Sequence, residues 1–158
     1  MKTFLRTFLW LALVVWLGGL LFFPITAWAA FSTLTDTHAA GTIVARCLGV
    51  LHHEGLIAGL VIVILLLLGR GVRAWHTSTM TIGIVITLIM MGLTAFSQFS
   101  IIPRMEAYRI AAGGAIDDVP KNDSRHVAFD RLHNTSVNVE EAVMLGGVIL
   151  VVVFARES

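Results

Sequence analysis

The sequence has little charge and a single cysteine. Charged residues make up only 13% of its 158 residues, whereas about 25% is usual for a soluble domain. An ordinary water-soluble globule is therefore excluded. The lone cysteine, Cys47, cannot form an intrachain disulfide or a CxxC metal or redox pair, so both of these are excluded as well.

Signatures of nucleic-acid binding and of common catalytic sites are also missing. The 11 Lys and Arg residues are scattered and the formal net charge is +1, so no basic stripe indicates a nucleic-acid partner. The sequence contains no Ser-His-Asp order, phosphate-binding loop or dinucleotide fingerprint. We therefore expect a protein that is not an enzyme and that does not bind nucleic acid.

Long apolar runs dominate the sequence. Hydrophobic residues make up 57% of it, and the mean hydropathy is +0.87. Such runs are expected to be helical in a lipid bilayer, because a spanning helix satisfies its own backbone hydrogen bonds. The sequence predicts an all-α membrane protein, a four-transmembrane-helix bundle with a polar outer loop between helices 3 and 4. It is predicted to be a single integral-membrane domain, 1–158, with helices at about 7–28, 43–69, 79–102 and 130–155.

The first apolar run allows two interpretations. Ala27-Trp28-Ala29 has the small-x-small form of a signal-peptidase site. However, the run has roughly twenty apolar residues, which exceeds a signal core and suffices to cross a bilayer. We expect it to remain attached as a membrane helix. The tryptophans are expected to face lipid or the membrane interface, and they are Trp10, Trp16, Trp28 and Trp75.

Basic residues indicate the orientation in the membrane. Four of them are predicted to lie on one side, and they are Lys2, Arg6, Arg70 and Arg73. The first connection, residues 29–41, has no Lys or Arg, which predicts an inner-membrane protein with both termini in the cytoplasm. The polar segment 103–131 then faces outward. Its basic residues argue against this orientation. Its acidic residues balance them in net charge but contribute little to the orientation rule.

Ionisable residues enter the outer half of the second helix. Arg70 marks its inner edge, and about 20 residues are needed to cross the hydrocarbon. His52, His53 and Glu54 therefore fall just inside the outer edge. Because successive residues of a helix point about 100° apart, the two adjacent histidines are not expected to bind one ion as a simple pair.

The fourth helix brings further ionisable residues to a similar depth. From its inner edge at Arg156, the span must reach back to about Ser136 to cross roughly 30 Å of hydrocarbon. Glu140 and Glu141 then lie below the outer interface, where isolated carboxylates are costly. The second and fourth helices are therefore predicted to face each other there, with a histidine of the second helix close to His133, Glu140 or Glu141.

Three interpretations of this polar layer stay open. One is a structural network, the outer-face polar cluster, made of Arg46, Glu54, Arg104, Arg109, Ser136, Asn138 and Glu141. Another is a transition-metal or haem site, whose predicted metal ligands are His52, His53, His133 and Glu140. The third is a proton or ion pathway, because buried His and Glu side chains titrate near neutral pH when desolvated.

Small residues predict close packing between helices. Gly55-x-x-x-Gly59, Ala142-x-x-x-Gly146 and Gly147 permit near approach of neighbouring backbones. We interpret the chain as an integral membrane protein of unassigned activity, embedded in the lipid bilayer, whose polar layer holds the structure together or handles a small cation or metal. The alternative is a structural subunit that packs through its glycine-rich faces against another membrane protein or a second copy.

Ordered motifs resemble those of a known group of proteins. They are Trp16-x-Gly18-Gly19 with Phe22-Phe23 and Pro24, Phe31 and Gly41, Pro103-Arg104-Met105 with Arg109, and Phe129-x-x-Leu132-His133-x-x-Ser136-x-Asn138. The chain resembles small bacterial four-helix membrane proteins of unknown function, related to the eukaryotic transmembrane protein associated with cisplatin resistance. The resemblance implies an uncleaved first helix and a four-helix bundle. It also implies a shared outer-face cluster, consisting of Arg104, Arg109, His133, Ser136 and Asn138.

Overall fold

A computed structural model describes residues 1–157, and helices dominate it. The α-helices are α1 (Lys2–Thr33), α2 (Thr37–Gly71), α3 (Thr77–Phe96), α4 (Ile102–Ala111) and α5 (Ser124–Ala155). A π-helical segment, Ser97–Ile101, joins α3 to α4 without a break, and a short 3₁₀ turn, Ile116–Asp118, precedes α5. Four stretches are long and apolar enough to cross a bilayer, namely α1, α2, α3 through α4, and α5. The predicted all-α four-helix membrane bundle is confirmed.

The helices extend beyond the apolar runs that predicted them. α2 begins at Thr37 because the Asp36 side chain accepts hydrogen bonds from the backbone N–H groups of His38 (2.9 Å) and Ala39 (3.2 Å). At the start of α5, the Asp123 side chain caps in the same way, accepting from Arg125 N–H at 2.8 Å. High hydropathy identifies only the part of a helix that lies in hydrocarbon. The helix starts predicted from it, at about 43 and 130, therefore lie after these polar first turns.

Asp123 also forms an ion pair with the side chain of Arg125. The carboxylate and guanidinium groups approach to 2.8 Å. The side-chain hydrogen bond from Arg125, followed by the backbone one, lowers the pKa of Asp123 from 3.8 to about 2. The cap therefore stays charged down to acidic pH, which keeps a negative charge at the positive end of the α5 dipole.

The four spans form a ring in which each helix lies antiparallel to its neighbours. Contacts join α1 to α2, α2 to α3, α3 to α5, and α5 back to α1. α2 and α5 are thus diagonal across the bundle. The two helices nevertheless face each other through the bundle centre, as predicted, because the side chains of His52 and Glu140 meet there.

The start of α1 and the end of α5 lie at one end of the bundle, which we call the termini end. Arg6 donates from Nε and Nη2 to the carbonyl oxygen of Ala74, at 3.1 and 2.8 Å. The backbone N–H of His76 donates to Oε2 of Glu157 at 2.9 Å. These bonds tie the connection between α2 and α3 to the start of α1 and to the residues that follow α5. The opposite end, which we call the α4 end, carries the connection between α1 and α2 together with α4.

Large side chains fill the gaps left by glycine. Trp16 is 1% exposed and packs against α2, so its predicted position facing lipid is wrong. A Cβ atom added at Gly55 would overlap Nε1 of Trp16, and one at Gly59 would lie 2.6 Å from Cγ of Met91. The small-residue stripe on α2 therefore packs within the bundle. The hydrophobic effect does not distinguish lipid from core in a membrane, so shape complementarity places this indole inside.

We expect Gly55→Ala to destabilise the fold by about 1–3 kcal/mol, because the added methyl group meets the rigid indole of Trp16. Gly49→Ala on the same helix is the matched control, since nothing lies within 4 Å of its added Cβ. That control should be neutral, or stabilising by up to about 1 kcal/mol through helix propensity. Unfolding of both variants in mixed detergent micelles measures the difference. Equal stability of the two would contradict this packing.

Candidate functional site

Polar side chains meet in the interior of the bundle at what we call the core polar site. Its members are His52 from α2, Thr94 from α3, Ser97 and Gln98 from the π-helical segment, and Ser136 and Glu140 from α5. His52 lies about 27 Å along α2 from Arg70, and Glu140 lies about 24 Å along α5 from Arg156. If those arginines mark one edge of roughly 30 Å of hydrocarbon, the site lies inside it, near the opposite edge.

His52 bridges three of the four spans. It is 1% exposed. Its Nδ1 atom lies 2.7 Å from Oε1 of Gln98, and its Nε2 atom lies 2.6 Å from Oε1 of Glu140. The imidazole thus crosses the bundle along the diagonal from α2 to α5, so a contact between second and fourth spans exists where the depth argument predicted one.

Two protonation arrangements fit this geometry. With the amide oxygen of Gln98 at Nδ1, this nitrogen must donate, and the His52–Glu140 pair then holds a second proton, either on Nε2 of an imidazolium facing the carboxylate or on the carboxyl group of Glu140. Rotating the Gln98 amide by 180° brings its NH₂ group to Nδ1 instead, and a neutral His52 then donates only to Glu140. The two arrangements differ by one proton and require no movement of a helix.

A π-helical segment presents two members of the site. Segments of this type are rare and often occur at functional sites. Ser97–Ile101 ends two residues before Pro103, whose ring cannot follow an ordinary α-helical turn without striking the carbonyl four residues earlier. The wider turn relieves that clash. It also contains Gln98, which forms the hydrogen bond to His52.

Two oxygen atoms of the site lack a partner among the described residues, namely Thr94 Oγ1 and Glu140 Oε2. Ser97 and Ser136 face each other with hydroxyl oxygens 3.5 Å apart. Because α3 and α5 are antiparallel, Thr94 and Glu140 both lie about one turn further toward the termini end, at the same level of the bundle. An unsatisfied polar atom in hydrocarbon costs several kcal/mol, so this layer favours a bound proton, water or cation.

The four predicted metal ligands do not converge. His53 is exposed and its Nδ1 atom lies 2.6 Å from the backbone oxygen of Gly49. His133 is exposed and stacks on Phe129, with ring centroids 6.4 Å apart. Among residues 1–157, no group of three His, Cys, Asp or Glu side chains is placed to hold a metal ion. Of the predicted set, only His52 and Glu140 are in contact.

The predicted outer-face polar cluster is likewise dispersed. Ser136 is buried in the core polar site, whereas Glu54 lies beside Gly19 of α1. Arg109 pairs loosely with Glu106, at 3.5 Å. The remaining members are exposed on the surface, and they are Arg46, Arg104, Asn138 and Glu141. Arg46 alone lies near other members, sharing a groove with Glu54 and a neighbouring pocket with Arg109. Directions around each helix separate the rest of the cluster.

The contribution of the third span was not predicted from the sequence. The predicted site consisted mainly of ionisable side chains, whereas Thr94, Ser97 and Gln98 are neutral. A glutamine within the apolar run 80–102 was the available signal, because a carboxamide in hydrocarbon needs a partner just as a carboxylate does.

Residues 11–113 match a family described as a domain of unknown function, DUF4149. The chain belongs to this family. The match covers most of α1 and all of α2, α3, the π-helical segment and α4, so it includes His52 and Gln98 but ends before Glu140. No curated protein matches the chain, and no solved structure matches it.

We expect Glu140→Leu to destabilise the protein by about 3 kcal/mol, since it leaves Nε2 of buried His52 without its partner. The matched control is Glu141→Leu, which replaces an adjacent, exposed carboxylate and should be neutral or stabilising. Unfolding in mixed micelles at neutral pH gives both values. Equal losses of stability in the two variants would show that the His52 bridge does not stabilise the bundle.

Proposed function

We propose that this DUF4149 protein is a non-enzymatic integral membrane protein whose core polar site binds and releases a small cation, namely a proton. One observation carries the proposal: the His52 bridge has two arrangements that differ by a single proton and share the same helix positions. Proton exchange then needs no repacking. The open Oε2 atom of Glu140 offers an additional acceptor at the same level.

The chemistry of the donors favours a proton over a metal ion. The site offers one imidazole and one carboxylate, and its other donors are neutral hydroxyl and amide oxygens. Transition-metal sites usually use three or four strong ligands. Histidine is the side chain whose usual pKa lies closest to neutral pH, so a His–Glu pair is well suited to proton exchange.

Infrared difference spectroscopy between acidic and neutral pH tests this function on the purified protein in lipid nanodiscs. We expect pH-dependent imidazole and carboxyl bands that vanish in Glu140→Gln and in His52→Gln. Glu141→Gln is the control and should keep the bands, because its side chain lies outside the core polar site.

The outcomes separate three cases. Bands that persist unchanged in Glu140→Gln would refute proton binding at the pair. A band shift caused by Na⁺ or K⁺ at fixed pH would replace the proton by an alkali cation. No pH-dependent band in the wild-type protein would leave the pair with a structural role only.

We also propose an inner-membrane location with the termini end in the cytoplasm. Support comes from Lys2, Arg6, Arg70 and Arg73, because basic residues concentrate on cytoplasmic connections. In a Cys47→Ala background, Asp118→Cys should react with an impermeant maleimide from outside, whereas Ser78→Cys should react only after permeabilisation. The reverse pattern would invert the orientation.

The alternative is a structural subunit that packs through its glycine-rich faces. Trp16 covers Gly55, and a Cβ at Gly146 would lie 2.8 Å from Cγ of Met90, so the bundle itself fills these two faces. Gly18 on α1, in contrast, has nothing within 4 Å of an added Cβ and supports this alternative. A bacterial origin and a relationship to the cisplatin-resistance protein are further proposals, which the ordered motifs of the sequence support.

A further inference from the structure

An apolar groove runs along the outside of the bundle between α1 and α2. Its volume is about 860 Å³, and its walls include Val15, Val50, Ile57 and Ala58. Gly49 supplies a further part of the wall. The groove is open on its lipid side and ends, toward the α4 end, at Arg46.

A second, more polar pocket begins where the groove ends. Its volume is about 480 Å³, and it is lined by Arg46 and Arg109 with His38, Thr42 and Glu106. Arg46 borders both spaces. The two spaces therefore adjoin at Arg46, and together we call them the path, with a polar compartment at the α4 end and an apolar compartment that descends along α2.

The polar compartment carries an excess of positive charge. Arg46 has no hydrogen bond or ion pair with another residue of the described chain, 1–157. Arg109 has one loose ion pair, to Glu106 at 3.5 Å. Two guanidinium groups thus face a single carboxylate, and a planar guanidinium binds phosphate oxygens well through paired N–H donors.

The depth of the path matches one leaflet of a bilayer. Arg46 lies about 36 Å along α2 from Arg70, which exceeds roughly 30 Å of hydrocarbon and falls in the headgroup layer. From Arg46 to Ile57 the groove extends about 17 Å, close to half the hydrocarbon thickness. We propose that this path binds one anionic phospholipid, with its phosphate on Arg46 and Arg109 and an acyl chain in the groove.

The remaining ionisable groups of the groove fit this direction of binding. His53 and Glu54 also line it, and Glu54 lies about 12 Å deeper than Arg46. A carboxylate at that depth would repel the lipid phosphate. The phosphate is therefore expected at the arginine end of the groove, and the acyl chain beside Glu54. The lipid path is separate from His52 and Glu140 in the bundle centre, and this proposal does not rest on proton binding there.

Native mass spectrometry of the purified full-length chain tests the proposal, with phosphatidylglycerol compared against phosphatidylcholine of identical acyl chains. We expect one tightly bound phosphatidylglycerol. Arg46→Gln and Arg109→Gln should each weaken its binding about tenfold, the loss expected for one charge-assisted hydrogen bond. Glu106→Gln should tighten binding, because it frees Arg109. Arg131→Gln removes an exposed positive charge near the same end and should leave binding unchanged.

A second pair of variants tests the groove without changing any charge. Val15→Trp should fill it and weaken lipid binding, whereas Val14→Trp, on the neighbouring exposed position outside the groove, should not. Circular dichroism and thermal unfolding establish that each variant is folded.

Three results of the experiments with lipids would overturn the proposal. They are equal binding of the two lipids, equal effects of Arg46→Gln and Arg131→Gln, and unchanged binding in folded Val15→Trp. Inorganic phosphate that binds as tightly as phosphatidylglycerol would show an anion site without an acyl chain, and would also overturn it.

Discussion

The structure depends on one constraint, which is that polar atoms within hydrocarbon must find their partners inside the protein. His52 meets this constraint with two hydrogen bonds, one to Gln98 and one to Glu140, and so connects the second, third and fourth spans. α2 and α5 do not pack directly against each other. Their positions across the bundle are therefore coupled through an imidazole ring.

Glycine packing sets the register that this bridge requires. Trp16 fits against Gly55, less than one helical turn from His52, and Met90 fits against Gly146 on the face between α3 and α5. In lipid, close fit decides which helices associate, because burial of apolar surface gives no advantage over contact with acyl chains. The large residues seated on glycine thus fix the level at which the polar side chains of different helices meet.

One short segment of α2 contributes side chains to two different sites. His52 points into the bundle centre, whereas its neighbour His53 lines the lipid-facing groove together with Glu54. Adjacent residues of a helix diverge by about 100°, so one short segment serves both an enclosed polar site and an open apolar surface. The proposed proton site and the proposed lipid site therefore use the same helix without sharing a side chain.

The sequence by itself determined four spanning helices, because the length and hydropathy of each apolar run leave helix as the fitting structure in a bilayer. It also determined that His52 and Glu140 lie at similar depth, since residue counts from Arg70 and Arg156 measure position along a helix. Only the tertiary structure decided which side chains meet. Rotation about each helix axis and the order of helices around the bundle depend on packing between distant segments, which placed Trp16 inside, His133 outside and Gln98 beside His52.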